Sequence, residues 1–229
     1  MILLIGVSSG IAQIILPKLL QIDNVIATYN TSKIIFNSKT KKKLIKTRLD
    51  VSNYQSISLF IKKYKKYLKG IVCINLSTLT LDRLIVDIKK KELQNIFNTN
   101  VFANFYLAKH LLPLMIEQKF GRFIFFSSSK AESGDIGISA YASTKHSIHG
   151  LSKSIAKEYS RFGVTSNIIS LGYFDTKLWH RLTAQKKKQL ISEVPLKKLG
   201  KISDIYNVIL SIIRSEFLNS SIIKIDGGI

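Results

Sequence analysis

The chain has 229 residues and 46% of them are hydrophobic, enough to bury the core of one large domain and too apolar for a disordered chain. Lys and Arg number 35 against 14 Asp and Glu, for a formal net charge of +21. The lysines fall in scattered clusters (41–43, 62–66, 89–91, 186–188 and 197–198) in an Ile-, Lys- and Asn-rich chain, so the charge argues for attraction of anionic small ligands and against a specific nucleic-acid partner.

Cys73 is the single cysteine, which leaves no intrachain disulfide framework and no cysteine metal site; no metal is expected. Met1 runs straight into Ile2-Leu3-Leu4-Ile5 without a basic leader, and no apolar run reaches the ~18 residues of a membrane span, so a reducing cytoplasm is the expected location. With three prolines and no Gly/Ser-rich linker, residues 1–229 read as a single domain.

Residues 2–5 form a short apolar run without alternation, as expected of a buried parallel strand. Gly6-Val7-Ser8-Ser9-Gly10-Ile11-Ala12 follows at once and opens an amphipathic helix to about Leu20. Strand, glycine turn, helix is the context in which such a motif cradles a pyrophosphate. Gly6 permits the turn, Gly10 lets the backbone approach, and the helix start supplies N–H groups and a positive dipole end. Ser8, Ser9 and Ile11 belong to the same cradle.

Residues 25–29 read as the second strand. An acid at its end would bind the ribose hydroxyls of NAD; this chain has Asn30 and, beyond it, Lys33. Neutral donors and a lysine suit a 2′-phosphate, so NADP is favoured over NAD. The stretch 34–46 has no helical period. Residues 44–49 read as the third strand, ending in Asp50-Val51, with Ser52 expected to cap the next helix. Asp50 either accepts from an adenine amino group or closes a turn.

Residues 71–75 are a fourth apolar strand ending in Asn75, which either ties neighbouring strands or lines a cofactor crevice. A long helical pattern over about 98–118 carries Asn100 on its core face. An asparagine there must be satisfied, either by backbone or by holding a water in a functional site. Residues 121–128 form the fifth strand. The helix after it contains Tyr141-Ala142-Ser143-Thr144-Lys145. Residues at i and i+4 share a helix face, so the Lys145 ammonium is expected beside the Tyr141 phenol, lowering its pKa for proton transfer. Ser128, at the strand end, can donate to the same substrate oxygen. His146 and His149 are expected off the site, at the surface or an interface.

Residues 163–170 form the sixth strand, followed by Leu171-Gly172-Tyr173-Phe174-Asp175-Thr176. The aromatic and basic segment 173–193 is expected to be a lid over a ligand. A last helix begins at Ser203-Asp204, and residues 222–225 are the final strand, ending in Asp226-Gly227-Gly228. The alternation predicts an α/β fold: a doubly wound, Rossmann-like parallel sheet of about seven strands with helices on both faces. The glycine turn, Asn75, Ser128 and Gly172 all fall at strand carboxyl ends, where such sheets bind ligands.

In these motifs the chain resembles the short-chain dehydrogenase/reductase family, in its compact single-domain form, over nearly its whole length. The 6–12 turn is similar to that family's Thr-Gly-x-x-x-Gly-Ile-Gly loop, with Ile5 and Ala12 as departures. Asn75-Leu76-Ser77 stands where Asn-Ala-Gly is usual. Asn100, Ser128, Tyr141 and Lys145 match its catalytic tetrad, and Leu171-Gly172 with Thr176 matches a Pro-Gly…Thr segment at the nicotinamide.

The resemblance implies hydride transfer between a nicotinamide cofactor and a carbonyl or alcohol: a 3-oxoacyl thioester, a sugar-nucleotide ketone or a small ketone, possibly anionic. It implies Tyr141 as general acid/base, Ser128 orienting the oxygen, Lys145 on the phenol and the ribose, and Asn100 holding a relay water. A homodimer or homotetramer is expected through the Asn100 and Tyr141 helices. The competing reading is a non-catalytic dinucleotide sensor or anionic-polymer binder on the same scaffold.

Overall fold

The computed structural model describes residues 1–31, 43–180 and 182–229. Lys33 and most of the 34–46 stretch therefore lie outside the described residues. Among those described, seven strands form one parallel sheet: β1 (Ile2–Ile5), β2 (Val25–Tyr29), β3 (Leu44–Arg48), β4 (Ile71–Asn75), β5 (Gly121–Ser128), β6 (Val164–Leu171) and β7 (Ile222–Ile225). Their order is β3-β2-β1-β4-β5-β6-β7. The chain winds outward from β1 to β3, then returns to β4 on the other side of β1. The switch point thus lies between β1 and β4, where ligand crevices form in doubly wound sheets.

The continuous apolar strands are explained by two cores. Leu3 and Ile5 face a layer built with Ile57 of α2 (Tyr54–Tyr64), Leu107 of α4 (Ala103–Glu117) and Ile148 of α6 (Ser139–Tyr159). Ile2 and Leu4 face the opposite layer, with Ile15 of α1 (Gly10–Ile22) and Ile209 of α9 (Ile202–Arg214). Both side-chain parities are buried, so both must be apolar.

Helix starts follow capping chemistry. Ser9 caps α1 by accepting from the Ala12 N–H at 3.2 Å. The cap of α2 is Asn53, not Ser52: Asn53 accepts from the Ser56 N–H at 3.0 Å. Ser52 instead gives both its N–H and its hydroxyl to Asp50. Asn and Ser compete closely for such positions, and the turn closed by Asp50 decided the outcome. A short helix α3 (Lys90–Phe97) leads into α4 through a π-turn at Asn98–Phe102, with Asn100 at its centre. No helix among the described residues is long and apolar enough to cross a membrane.

Candidate active site

The site lies along the carboxyl ends of β1, β4, β5 and β6. Gly6 has φ +79°, and a Cβ on it would stand 2.6 Å from the Ser77 backbone nitrogen. The β1–α1 turn therefore passes directly against the end of β4, a closeness only glycine allows. Gly172 plays the same part at the end of β6, where a Cβ would meet Asp226 at 2.7 Å.

A cavity of about 430 Å³ opens beside these turns, and its walls include Ser9, Ile11, Ser128, Tyr141, Lys145 and Thr176. It thus brings together three of the four expected catalytic residues with part of the expected cofactor cradle. Gly172 lines it as well; Gly6 and Ser8 belong to the adjoining β1–α1 turn, Gly10 starts α1 and Asn75 ends β4. Asn30, Asp50 and Val51 sit apart, at the ends of β2 and β3: Asn30 is exposed, Asp50 closes its turn, and Val51 is buried in the core.

The segment 173–193, expected as a lid, carries two short helices, α7 (Lys177–His180) and α8 (Ala184–Glu193). Trp179, Lys186 and Leu190 from it face the cavity. It is pinned near its start, where the Gly200 N–H donates to the Tyr173 carbonyl. Lys130, two residues after Ser128, ion-pairs with Asp135 at 2.7 Å in the same cavity. The helix that carries Lys130 is α5 (Lys130–Ser133).

Lys145 is almost fully buried, and its ammonium donates to the Phe126 carbonyl at 3.0 Å. Burial without a carboxylate brings its pKa down from 10.5 to about 8. Its Nζ lies 5.8 Å from the centre of the Tyr141 ring. The phenol does not behave as the helix spacing suggested. Burial raises the Tyr141 pKa; the bond with Ser128 pulls against this, and Asp82 adds to it. The i, i+4 geometry is present, but desolvation outweighs the help expected from an ammonium that is itself costly to charge.

Asn100 makes its contacts through the protein. Its amide oxygen accepts from the Leu79 N–H (2.7 Å), and its amide nitrogen donates to the Leu79 carbonyl (2.9 Å) and the Thr144 hydroxyl (3.0 Å). Thr144 in turn donates to the Tyr141 carbonyl. Asn104 extends the chain: it donates to the Asn100 carbonyl and accepts from Asn75, whose own oxygen takes both Ser77 donors. Asn104 and Thr144 were not singled out from sequence. Their spacing, four after Asn100 and three after Tyr141, is the signal that identifies them.

His149 differs most from expectation. It is 6% exposed and bonds the Ser127 hydroxyl at 2.8 Å, next to Ser128 at the end of β5. His149 stands four residues after Lys145, so the same helix face that buries the lysine buries it. His146 is exposed, as expected.

The residues present fit a dinucleotide. The cavity reaches the start of α1 at Ser9 and Ile11, where helix N–H groups favour a phosphate, and runs on to Lys145. A family model described as short chain dehydrogenase matches residues 1–187. The 3-oxoacyl-acyl-carrier-protein reductase FabG of Buchnera aphidicola subsp. Schizaphis graminum is 30% identical over 235 residues, covering 99% of this chain and 95% of its own. The Escherichia coli FabG is 26% identical over 183 residues, 79% of this chain and 75% of the relative. Among solved structures, ElxO with NADP bound matches with a TM-score of 0.88 at 24% identity, covering 99% of this chain and 96% of that one. A putative gluconate dehydrogenase from Agrobacterium tumefaciens also reaches 0.88, at 17% identity over 99% and 94% of the two chains. Fold, switch-point site and family match agree, and the chain belongs to the short chain dehydrogenase family.

Proposed function

We propose that the protein is an NADPH-dependent reductase of 3-oxoacyl thioesters. The observation that carries this reading is the convergence of Ser128, Tyr141 and Lys145 on one cavity that also reaches the glycine turn. The substrate class is supported by the relatives, two of which are named for 3-oxoacyl-acyl-carrier-protein reduction.

Bound in the crevice between Gly6, Ser9, Ile11 and Thr176, the nicotinamide cofactor would supply the hydride. The phenol of Tyr141 gives its proton to the substrate carbonyl oxygen. A raised pKa keeps that phenol protonated at neutral pH, the state a proton donor needs. Ser128 donates a hydrogen bond to the same oxygen and fixes its direction. Lys145 can change charge near neutral pH, which suits a group that resupplies the phenol with a proton and bonds ribose hydroxyls. Asn100 holds α6 in place through Thr144 and the Leu79 loop, so its contribution is read as positioning. NADP is preferred to NAD because Asn30, not an acid, follows β2, and the ElxO structure holds NADP. Asp50 and Val51, at the end of β3, are the residues this reading assigns to the adenine end.

Self-association is part of the same reading. Phe102 and Phe105 are 42% and 48% exposed, and a groove between α4 and α6 is walled by Phe105, Leu112 and Leu151. An apolar face of this kind favours pairing through the two helices.

The test combines fluorescence titration of NADPH and NADH with turnover on acetoacetyl thioesters. The proposal expects NADPH to bind at least tenfold tighter than NADH and to be oxidised by the thioester. Tight NADPH binding without oxidation by any 3-oxoacyl thioester removes the substrate class. No dinucleotide binding at all would favour a polymer-binding role instead.

A further inference from the structure

The end of β5 is joined to α6 at three consecutive residues. The Phe126 carbonyl accepts from the Lys145 ammonium at 3.0 Å. The Ser127 hydroxyl lies 3.3 Å from the Lys145 carbonyl, to which it donates, and 2.8 Å from His149 Nε2. Ser128 lines the same cavity wall as the Tyr141 phenol, and its hydroxyl draws the phenol pKa down. The first and third of these contacts belong to the reacting set. The middle one belongs to a serine and a histidine that the mechanism does not use.

Proton counting assigns the middle contact. Ser127 has one hydroxyl proton; with that proton on the Lys145 carbonyl, the imidazole is the donor, through Nε2–H, to the serine oxygen. The relay runs from His149 to Ser127 to the main chain of Lys145. Ser127 and His149 are 3% and 6% exposed, so water does not readily substitute for either partner. The other charged or titratable groups around the imidazole are His146, Glu132, Lys153 and Lys224; Glu132 and Lys224 also pair with each other at 2.5 Å. His146 is engaged with the Ala131 carbonyl at 3.2 Å.

We propose that His149 is a positioning residue for the reaction: by donating to Ser127 it locks the strand end that carries Ser128 to the helix that carries Tyr141 and Lys145. A serine hydroxyl and a phenol that must meet one carbonyl oxygen tolerate little relative movement. Misplacement of reacting groups by about 1 Å can cost on the order of 10²-fold in rate. The two groups reside on different elements, and the Ser127–His149 bond spans them at the residue adjacent to Ser128. The inference rests on Ser128, Tyr141 and Lys145 being the reacting set.

The experiment compares His149→Leu, His149→Gln, Ser127→Ala and the Ser127→Ala/His149→Leu double variant. Glutamine keeps a side-chain N–H donor; leucine keeps bulk without it. The expected result is a loss of about tenfold in kcat for His149→Leu and Ser127→Ala, within the range of positioning effects. Expected with it are an NADPH affinity within twofold of the parent, recovery in His149→Gln to within about twofold, and a double variant no slower than the worse single one.

Amide hydrogen exchange at residues 126–129, read without substrate, should quicken in the Leu and Ala variants and return toward the parent in Gln. This second readout stands even if the parent turns over no thioester, so the substrate reading and the positioning inference fail separately. Full kcat in a folded His149→Leu protein would overturn the inference. So would Gln falling as far as Leu, an additive double variant, or unchanged exchange in the Leu and Ala variants. Should His149→Leu fail to fold, Ser127→Ala against His149→Gln decides by the same criteria.

Discussion

Replacing Lys145 by methionine should make the protein more stable while ending its activity. Lys145 is 4% exposed; among the described residues its ammonium donates to a neutral carbonyl, that of Phe126, and lies 5.8 Å from the Tyr141 ring centre, with no carboxylate beside it. Its pKa falls from 10.5 to about 8 inside the fold. At ~1.4 kcal/mol for each tenfold change, keeping the ammonium charged in the folded protein at pH 7 costs about 3 kcal/mol. Methionine deprives the Phe126 carbonyl of that donor, which offsets about 1 kcal/mol of the gain. Methionine fills a similar volume without the charge, so Lys145→Met should raise the unfolding free energy by about 2 kcal/mol at pH 7.

The sign with pH follows from proton uptake. Between pH 8 and 10.5 the unfolded chain holds the Lys145 proton and the folded one does not, so stability rises with pH there. The burden is fully present below pH 8 and disappears as pH approaches 10.5. Wild type should therefore gain about 1 kcal/mol on the Met variant between pH 7 and pH 9. Guanidinium melts of both proteins at the two pH values measure it. A Met variant less stable than wild type at pH 7, or a gap that does not narrow by pH 9, would refute the reasoning.

Other outcomes follow from the same geometry. Gly6→Ala should abolish NADPH binding and cost at least 1–3 kcal/mol in a thermal melt, because its Cβ would meet Ser77 at 2.6 Å from a backbone at φ +79°. Burial pushes the Cys73 thiol up to about 12, so a thiol reagent at pH 8 should label it only at the rate of unfolding, as read by mass spectrometry. Asn100→Ala strands the Leu79 backbone pair and Thr144, and should cost about 1–3 kcal/mol of stability with a lower kcat and little change in NADPH affinity.

What the sequence disclosed and what it withheld divide along physical lines. Strands such as Ile71–Asn75 were legible because burial on both faces forces unbroken apolar runs. The glycine turn and the Tyr141–Lys145 spacing were legible because they are local. The acidity of Tyr141 was not: proximity to Lys145 can be read from helix period, but desolvation depends on what the rest of the chain packs around the phenol. His149 was misplaced for a related reason, since a polar residue on a core face declares itself only when its partner, Ser127, is known. The π-turn at Asn98–Phe102 was not legible either: Asn100 at its centre bonds Leu79 and Thr144, partners distant in sequence. The Ser52 and Asn53 exchange turned on a single competing acceptor, Asp50.

The most direct test sets Tyr141→Phe beside wild type in two assays on the same samples: NADPH binding by fluorescence and NADPH oxidation with an acetoacetyl thioester. The phenylalanine should bind NADPH within a few-fold of wild type and lose at least 10²-fold in kcat, the low end of what a positioned proton donor contributes. A Tyr141→Phe protein that oxidises NADPH at the wild-type rate would contradict the assignment of the phenol as the proton donor.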